Sequence, residues 1–253
     1  MEKQLSLLWS CLMQFLDSLI TATNEQWHGI LKNSISKMSN DYLLQLKNYD
    51  DWLPAQEKLF SAFSLPLEKT KYILLGESPY PRQQSANGYA FWDNDIKDIW
   101  SDNGLSKSVN KATSLRNFIK MLLYIRGDLS NNFSKEAIAN INKKSFIQTI
   151  PELFQRMLQH GFLLLNASLI YSPGKVLYHA KQWRPFIDEL LTQIYLYNPE
   201  VEVILLGRIS NIFANMQFHK TIQAEHPYNV SFITNEIVNN FFRPFSLLGV
   251  NNS

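Results

Sequence analysis

The sequence predicts an α/β domain built on a central four-stranded parallel sheet flanked by helices, with an N-terminal helical extension. Tyr72-Ile73-Leu74-Leu75, Phe162-Leu163-Leu164-Leu165 and Val203-Ile204-Leu205-Leu206 are unbroken apolar runs of strand length, the pattern of strands buried on both faces of a parallel sheet. A fourth, mixed stretch, Thr221-Ile222-Gln223-Ala224, completes the set. Helical patterns lie between the runs, which implies parallel βαβ crossovers. Each run ends in polar residues: Gly76-Glu77-Ser78-Pro79-Tyr80-Pro81, Asn166, Gly207-Arg208-Ile209-Ser210 and Glu225-His226-Pro227. Ligands of open α/β sheets sit at the carboxyl ends of the strands, so the same pattern marks a candidate site.

From the N-terminus, residues 4–22 read as an amphipathic helix with Leu5, Leu8, Trp9, Leu12, Phe15, Leu16 and Leu19 on one side. A second helix follows Trp27. Residues 1–45 are read as the helical extension and 46–253 as the α/β domain. Trp52 to Phe63 reads as a Pro-started helix leading into the first strand. Residues 93–112 are polar and poorly patterned, a surface loop or insertion. Ser114 is placed to cap a helix over 115–125 that carries Leu115, Phe118, Ile119, Leu122 and Leu123. Residues 128–146 are again polar, and Pro151 starts a helix before the second strand. Trp183 to Tyr197 is helical, with Phe186, Ile187, Leu190, Leu191 and Ile194 facing the core.

The composition excludes several classes. An apolar fraction of 45% supports a sizeable core, and a net charge of +2 demands no nucleic-acid partner by itself. Cys11 is the only cysteine, which rules out an internal disulfide and a four-cysteine metal site. The N-terminus lacks the pattern of a secretory signal, and no apolar run approaches the ~20 residues of a membrane span. The chain reads as soluble and intracellular, cytoplasmic or nuclear, with no membrane partner and no secretion.

Read in order, the polar ends resemble those of a known family. Trp52-Leu53-Pro54 through Phe63, then Ile73-Leu74-Leu75-Gly76-Glu77-Ser78-Pro79-Tyr80-Pro81, is similar to the approach and water-activating loop of uracil-DNA glycosylases, usually Gly-Gln-Asp-Pro-Tyr-His. Gly88-Tyr89-Ala90-Phe91 resembles the following strand, Ser114-Leu115-Arg116-Asn117 the end of the Pro-rich loop, and Leu163-Leu164-Leu165-Asn166 the uracil-reading strand. His179 and Trp183 match the spacing of a His and a Trp in the next segment, and His226-Pro227 resembles the start of the DNA-intercalating loop. The resemblance covers about residues 50–245 in the family's order.

What it implies is chemically coherent. An enzyme acting on a glycosidic bond inside a duplex must extrude the nucleotide into a pocket and read its edge there. Phe91 would stack on uracil. Asn166 offers a donor and an acceptor to the adjacent O4 and N3–H. Tyr80 would stand against C5 and exclude the methyl of thymine. His226 would donate to O2, where charge gathers as the base departs. A carboxylate would stabilise the cation-like sugar and orient the water. Tyr228, Val230, Ser114, Ser210 and Ser231 would contact DNA, the serines at phosphates. Arg82, Lys111, Arg116, Arg208, Lys220 and Arg243 could form the basic surface. The implied partner is uracil-containing DNA, single- or double-stranded, acted on by a monomer without metal or organic cofactor.

This chain departs from the pattern at the carboxylate. Ser78 stands where the common form has Asp, and Glu77 is the substitute; an iron–sulfur branch of the superfamily has a functional Glu at that place. Adjacent residues leaving a strand point to opposite sides, which opposes both facing the pocket. Pro81 replaces a His, Ala112 and Thr113 replace prolines, and Val230 is a shorter wedge than the usual Leu, so that Tyr228 is an alternative. Three readings remain open: a uracil glycosylase, a glycosylase-like module with impaired catalysis that binds DNA or protein, and a hydrolase of another modified base.

Overall fold

The computed structural model describes residues 2–48, 51–213 and 218–249, with side chains from Leu12 onward. Four strands, β1 (Tyr72–Gly76), β4 (Phe162–Asn166), β5 (Glu202–Leu206) and β6 (Lys220–Ala224), form a parallel sheet in the order β4-β1-β5-β6. A separate antiparallel hairpin joins β2 (Trp100–Ser101) to β3 (Gly104–Leu105). All five residues of β4 are buried, as are the last four of β1 and of β5. That explains their continuous apolar runs. β6 is an edge strand with exposed or half-exposed residues throughout, which explains its mixed composition. The chain runs from β1 to one neighbour, β4, and then to the other, β5, a reversal of the kind where α/β sheets hold ligands.

Two compact units can be described. The first comprises Met1–Asp93, Leu163–Val203 and Gln217–Lys220. It contains α1 (Glu2–Thr21), α2 (His28–Ile35), α3 (Asn40–Asn48) and α8 (Val176–Tyr197). Leu12, Leu16 and Ile20 bury one stripe of α1 at four-residue spacing; Leu5, Leu8 and Trp9 lie outside the described side chains. Helix α2 packs on α8, and α1 on α2 and α3. Trp27, fully buried, packs edge-on to Phe63 and donates from Nε1 to the Leu65 carbonyl at 2.6 Å.

The second unit comprises Asn94–Phe162, Ile204–Met216 and Thr221–Ser253. It holds α4 (Lys107–Lys111), α5 (Thr113–Arg126), α6 (Lys135–Ala139), α7 (Ile150–Gln159), α9 (Arg208–Ile212) and α10 (Glu236–Phe242). α5 packs on α10 and on the 3-10 turn Val230–Thr234. Phe162, Phe241, Phe242 and Phe245 form one aromatic cluster. Pro151 does sit in the first turn of α7, closed by a capping box between Thr149 and Glu152.

Four local expectations need correction. Trp52 to Phe63 is not an α-helix but a chain of 3-10 turns, Gln56–Lys58 and Ser61–Ser64. Leu59, Phe60, Ala62 and Phe63 are all buried, at the i, i+1, i+3, i+4 spacing that one face of an α-helix would also show. Residues 93–112 are not a bare loop. Ile96, Ile99, Leu105 and Val109 anchor the β2–β3 hairpin and α4, but are too sparse to show a period. Ser114 does not cap α5, because the helix begins one residue earlier and Ala112 is its uncapped boundary. α8 begins at Val176, seven residues before Trp183, its first buried position being the polar His179.

Candidate active site

The first unit assembles the end of β1. The Gly76 carbonyl accepts from Ala167 N–H at 2.8 Å and the Glu77 carbonyl from Ser168 N–H at 3.0 Å. Ala90 N–H donates to the Leu164 carbonyl at 3.0 Å. These bonds pin the turn 76–81, the segment 88–91 and the end of β4 to one another. A methyl placed on Gly76 would stand 2.6 Å from Asn166 Oδ1, 2.9 Å from the Ala90 methyl and 3.5 Å from Phe91 Cε2. The Asn166 amide and the Phe91 ring therefore share the space over Gly76, which only a glycine leaves open.

Asn166 is 2% exposed, so its amide is fixed by its surroundings. Phe91 adopts φ +63°, a left-handed conformation that is uncommon for a non-glycine residue and costs of order 1–3 kcal/mol. The Tyr80 hydroxyl donates to the Phe91 carbonyl at 3.1 Å, bracing that backbone. Burial pushes the Tyr80 phenol above its ordinary range, the Asp93 carboxylate adds to this, and Arg82 offsets part of it. It is a permanent donor at neutral pH. Asp93, 3% exposed, accepts from Arg82 Nη2 at 2.9 Å. Glu77 and Ser78 are both half-buried.

The second unit holds the other half of the expected residues. Gly207 has φ +73°, and a methyl there would meet His226 Cβ at 2.8 Å and the ring's Cγ and Cδ2 at 3.4 Å. The imidazole thus lies against bare backbone. Its Nδ1 accepts from Tyr228 N–H at 3.1 Å, which leaves Nε2 as the protonated nitrogen of the neutral ring. Asn117 Nδ2 reaches three successive carbonyls of the same loop, Pro227 at 2.8 Å, Tyr228 at 3.2 Å and Asn229 at 3.4 Å. So held, the loop presents Tyr228 and Val230 at 67% and 68% exposure. The two loop serines have their protons engaged: Ser210 Oγ donates to the Gly207 carbonyl at 2.7 Å, and Ser231 Oγ to Glu225 Oε2. Ser114 lies half-buried in the first turn of α5.

The structure thus brings Tyr80, Phe91 and Asn166 together in one unit, beside the turn bearing Glu77 and Ser78. It brings His226, Tyr228, Val230, Ser210 and Ser231 together in the other. Asn117 has no role of its own in the motif Ser114-Leu115-Arg116-Asn117. Its signal is a polar residue inside the apolar stripe Leu115, Phe118, Ile119, and at 1% exposure it is the clamp of the histidine loop. The six proposed basic residues are spread in role. Lys220 faces Glu200 and Glu202, Arg82 faces Asp93, Arg243 donates to the Ile125 carbonyl, and Arg116 to that of Asn110. Among the described residues no group of three or more His, Cys, Asp or Glu is placed to hold a metal, and no helix is long and apolar enough to cross a membrane.

Known proteins share this fold. The wild-type UNG crystal structure from Nitratifractor salsuginis superposes with a TM-score of 0.88 at 37% sequence identity, covering 94% of this chain and 97% of that one. The chain belongs to the uracil-DNA glycosylase superfamily. A curated superfamily relative, the uracil-DNA glycosylase of Streptococcus pneumoniae (strain Hungary19A-6), is 26% identical over 217 residues, 82% of this chain and 85% of that protein. The mimivirus uracil-DNA glycosylase shares the fold, with a TM-score of 0.57 at 18% identity over 86% of this chain and 74% of its own. No family model matches the chain.

Proposed function

We propose that this chain is a DNA glycosylase that hydrolyses the bond between uracil and deoxyribose after the nucleotide has been extruded, from single- or double-stranded DNA, as a monomer and with water as its only co-reactant. The observation that carries the reading is the shared space over Gly76. There a fixed amide and an aromatic face meet at the carboxyl end of a buried strand, in a member of this superfamily.

Each residue then has a role. Phe91 stacks on the base. The Asn166 amide pairs with N3–H and O4, an order of donor and acceptor that cytosine reverses. The Tyr80 ring, locked by its bond to the Phe91 carbonyl, stands against C5. His226 donates from Nε2 to O2, and because Tyr228 N–H occupies Nδ1 it does so as a neutral, preorganised donor. Tyr228 and Val230 enter the stack where the base has left. Ser114, Ser210 and Ser231 meet phosphates; Ser210 and Ser231 must first turn their hydroxyls away from Gly207 and Glu225. Glu77 supplies the carboxylate that Ser78 lacks, holding the water and facing the developing sugar cation.

The test is uracil release from single- and double-stranded oligonucleotides with one deoxyuridine. Glu77→Ala is expected to lose about 10²–10⁴-fold in rate, and Ser78→Ala far less. Loss of activity in Ser78→Ala with none in Glu77→Ala would reverse the assignment. DNA binding without release at high protein concentration, restored by Ser78→Asp, would identify a module whose carboxylate was lost. Release of a 5-substituted pyrimidine would remove the role given to Tyr80.

A further inference from the structure

Beside the wedge loop the second unit contains a hollow of about 230 Å³ to which no role above assigns a ligand. Its walls include Arg116, Lys120 and Lys135, with Phe133, Ile138 and the wedge residue Val230. No Asp or Glu lines it. Among the described residues none of the three cations forms an ion pair; their recorded bonds are to carbonyls, Arg116 to Asn110 and Lys120 to Phe133 at 2.7 Å. Burial, and then the neighbouring Arg116, lower the Lys120 ammonium below its ordinary range, and the lining offers no carboxylate to offset the two cations. A folded protein has little reason to gather like charges against an apolar floor unless a ligand supplies the opposite charge.

We propose that this hollow takes one nucleotide of the DNA strand flanking the extruded base, with its phosphate on Arg116, Lys120 and Lys135 and its sugar or base against Phe133 and Ile138. The inference rests on the glycosylase reading. The volume is on the scale of a single nucleotide unit, and the mixed lining matches an anion joined to an apolar body. Val230 ties the place to the DNA path, since it forms part of the wall and stands 68% exposed on the loop that would enter the stack. An unpaired strand has a free base to place there, whereas a duplex brings only its backbone. The hollow therefore favours single-stranded DNA or the unpaired flank of a bubble.

The test uses the full chain and a deoxyuridine oligonucleotide whose phosphates are neutralised one at a time as methylphosphonates. Binding is read by fluorescence anisotropy across a salt series, and uracil release is read in the same samples under saturating protein. The double substitution Arg116→Gln, Lys135→Gln is expected to weaken single-strand binding about tenfold and to lower the salt slope by about 0.7, the value of one phosphate on a single strand. Uracil release at saturating protein reports separately whether the variant still carries out the glycosylase reaction. One flanking methylphosphonate should weaken the wild type and leave the double variant unaffected, which locates the phosphate. Equal salt slopes for a folded variant and the wild type, or penalties at every position that persist in the variant, would overturn the proposal while leaving the glycosylase reading intact. Wild-type protein that neither binds DNA nor releases uracil would remove both.

Discussion

Gly76→Ala adds a single methyl group against the Asn166 amide at the edge of the proposed base pocket. Gly76 is not in the left-handed region, so the effect is steric and carries no torsional term. The new carbon would lie 2.6 Å from Asn166 Oδ1 and 2.9 Å from the Ala90 methyl, whereas ordinary contacts begin at 3.4 Å. The amide must therefore retreat by about 0.8 Å, the difference between those distances, or the β1 and β4 ends must part. Overpacking of this kind costs about 1–3 kcal/mol, a fall in melting temperature of about 2–12 °C for a chain of this size. The larger consequence is for chemistry, because misplacing a binding group by about 1 Å can cost about 10²-fold in rate. Single-turnover uracil release from a single-stranded oligonucleotide isolates that step from base extrusion. A variant that folds, melts a few degrees lower and still releases uracil at the wild-type rate would refute the base-reading role given to the Asn166 amide beside Gly76.

Other perturbations separate the remaining parts. Asn117→Ala leaves three loop carbonyls without their shared donor. It is expected to cost about 1–3 kcal/mol in thermal or denaturant unfolding and to reduce activity on duplex more than on single strands. Tyr80→Phe keeps the ring against C5 but removes the bond to the Phe91 carbonyl; melting should report about 0.5–1.5 kcal/mol lost, with thymine still rejected in a competition assay. Val230→Leu lengthens an exposed wedge and is expected to raise duplex activity severalfold relative to activity on single strands. Gly207→Ala presses on His226 and strains a positive φ; its deficit should appear in the rate at saturating DNA.

The sheet was legible because burial on both faces leaves an unmistakable composition. β1, β4 and β5 are apolar runs for that reason, while β6 was legible mainly through the Glu225-His226-Pro227 that follows it. The extent of α8 was not, since its first turns carry Leu177 and Tyr178 in solvent and a buried His179. The 52–63 segment misled because its buried Leu59, Phe60, Ala62 and Phe63 fall at the spacing of one α-helical face, although the chain there turns as 3-10 helix. At the site, residue types were readable but the geometry holding them was not. Nothing in Ala90-Phe91-Trp92 announces a left-handed phenylalanine, and nothing local makes Gly76 or Gly207 the surfaces on which Asn166 and His226 rest. Such contacts join residues far apart in sequence. Only the folded chain reveals that a glycine there is a surface and not a hinge.

The Asn117 amide has two protons and three carbonyls within its reach. A donor outnumbered by its acceptors has no single best partner, and it can exchange one for the next while never letting go of all of them. The histidine loop is consequently held by one donor that any of three successive carbonyls can satisfy. Under the proposed function, such an interchangeable hold would let the wedge meet an irregular strand while the imidazole stays at its post.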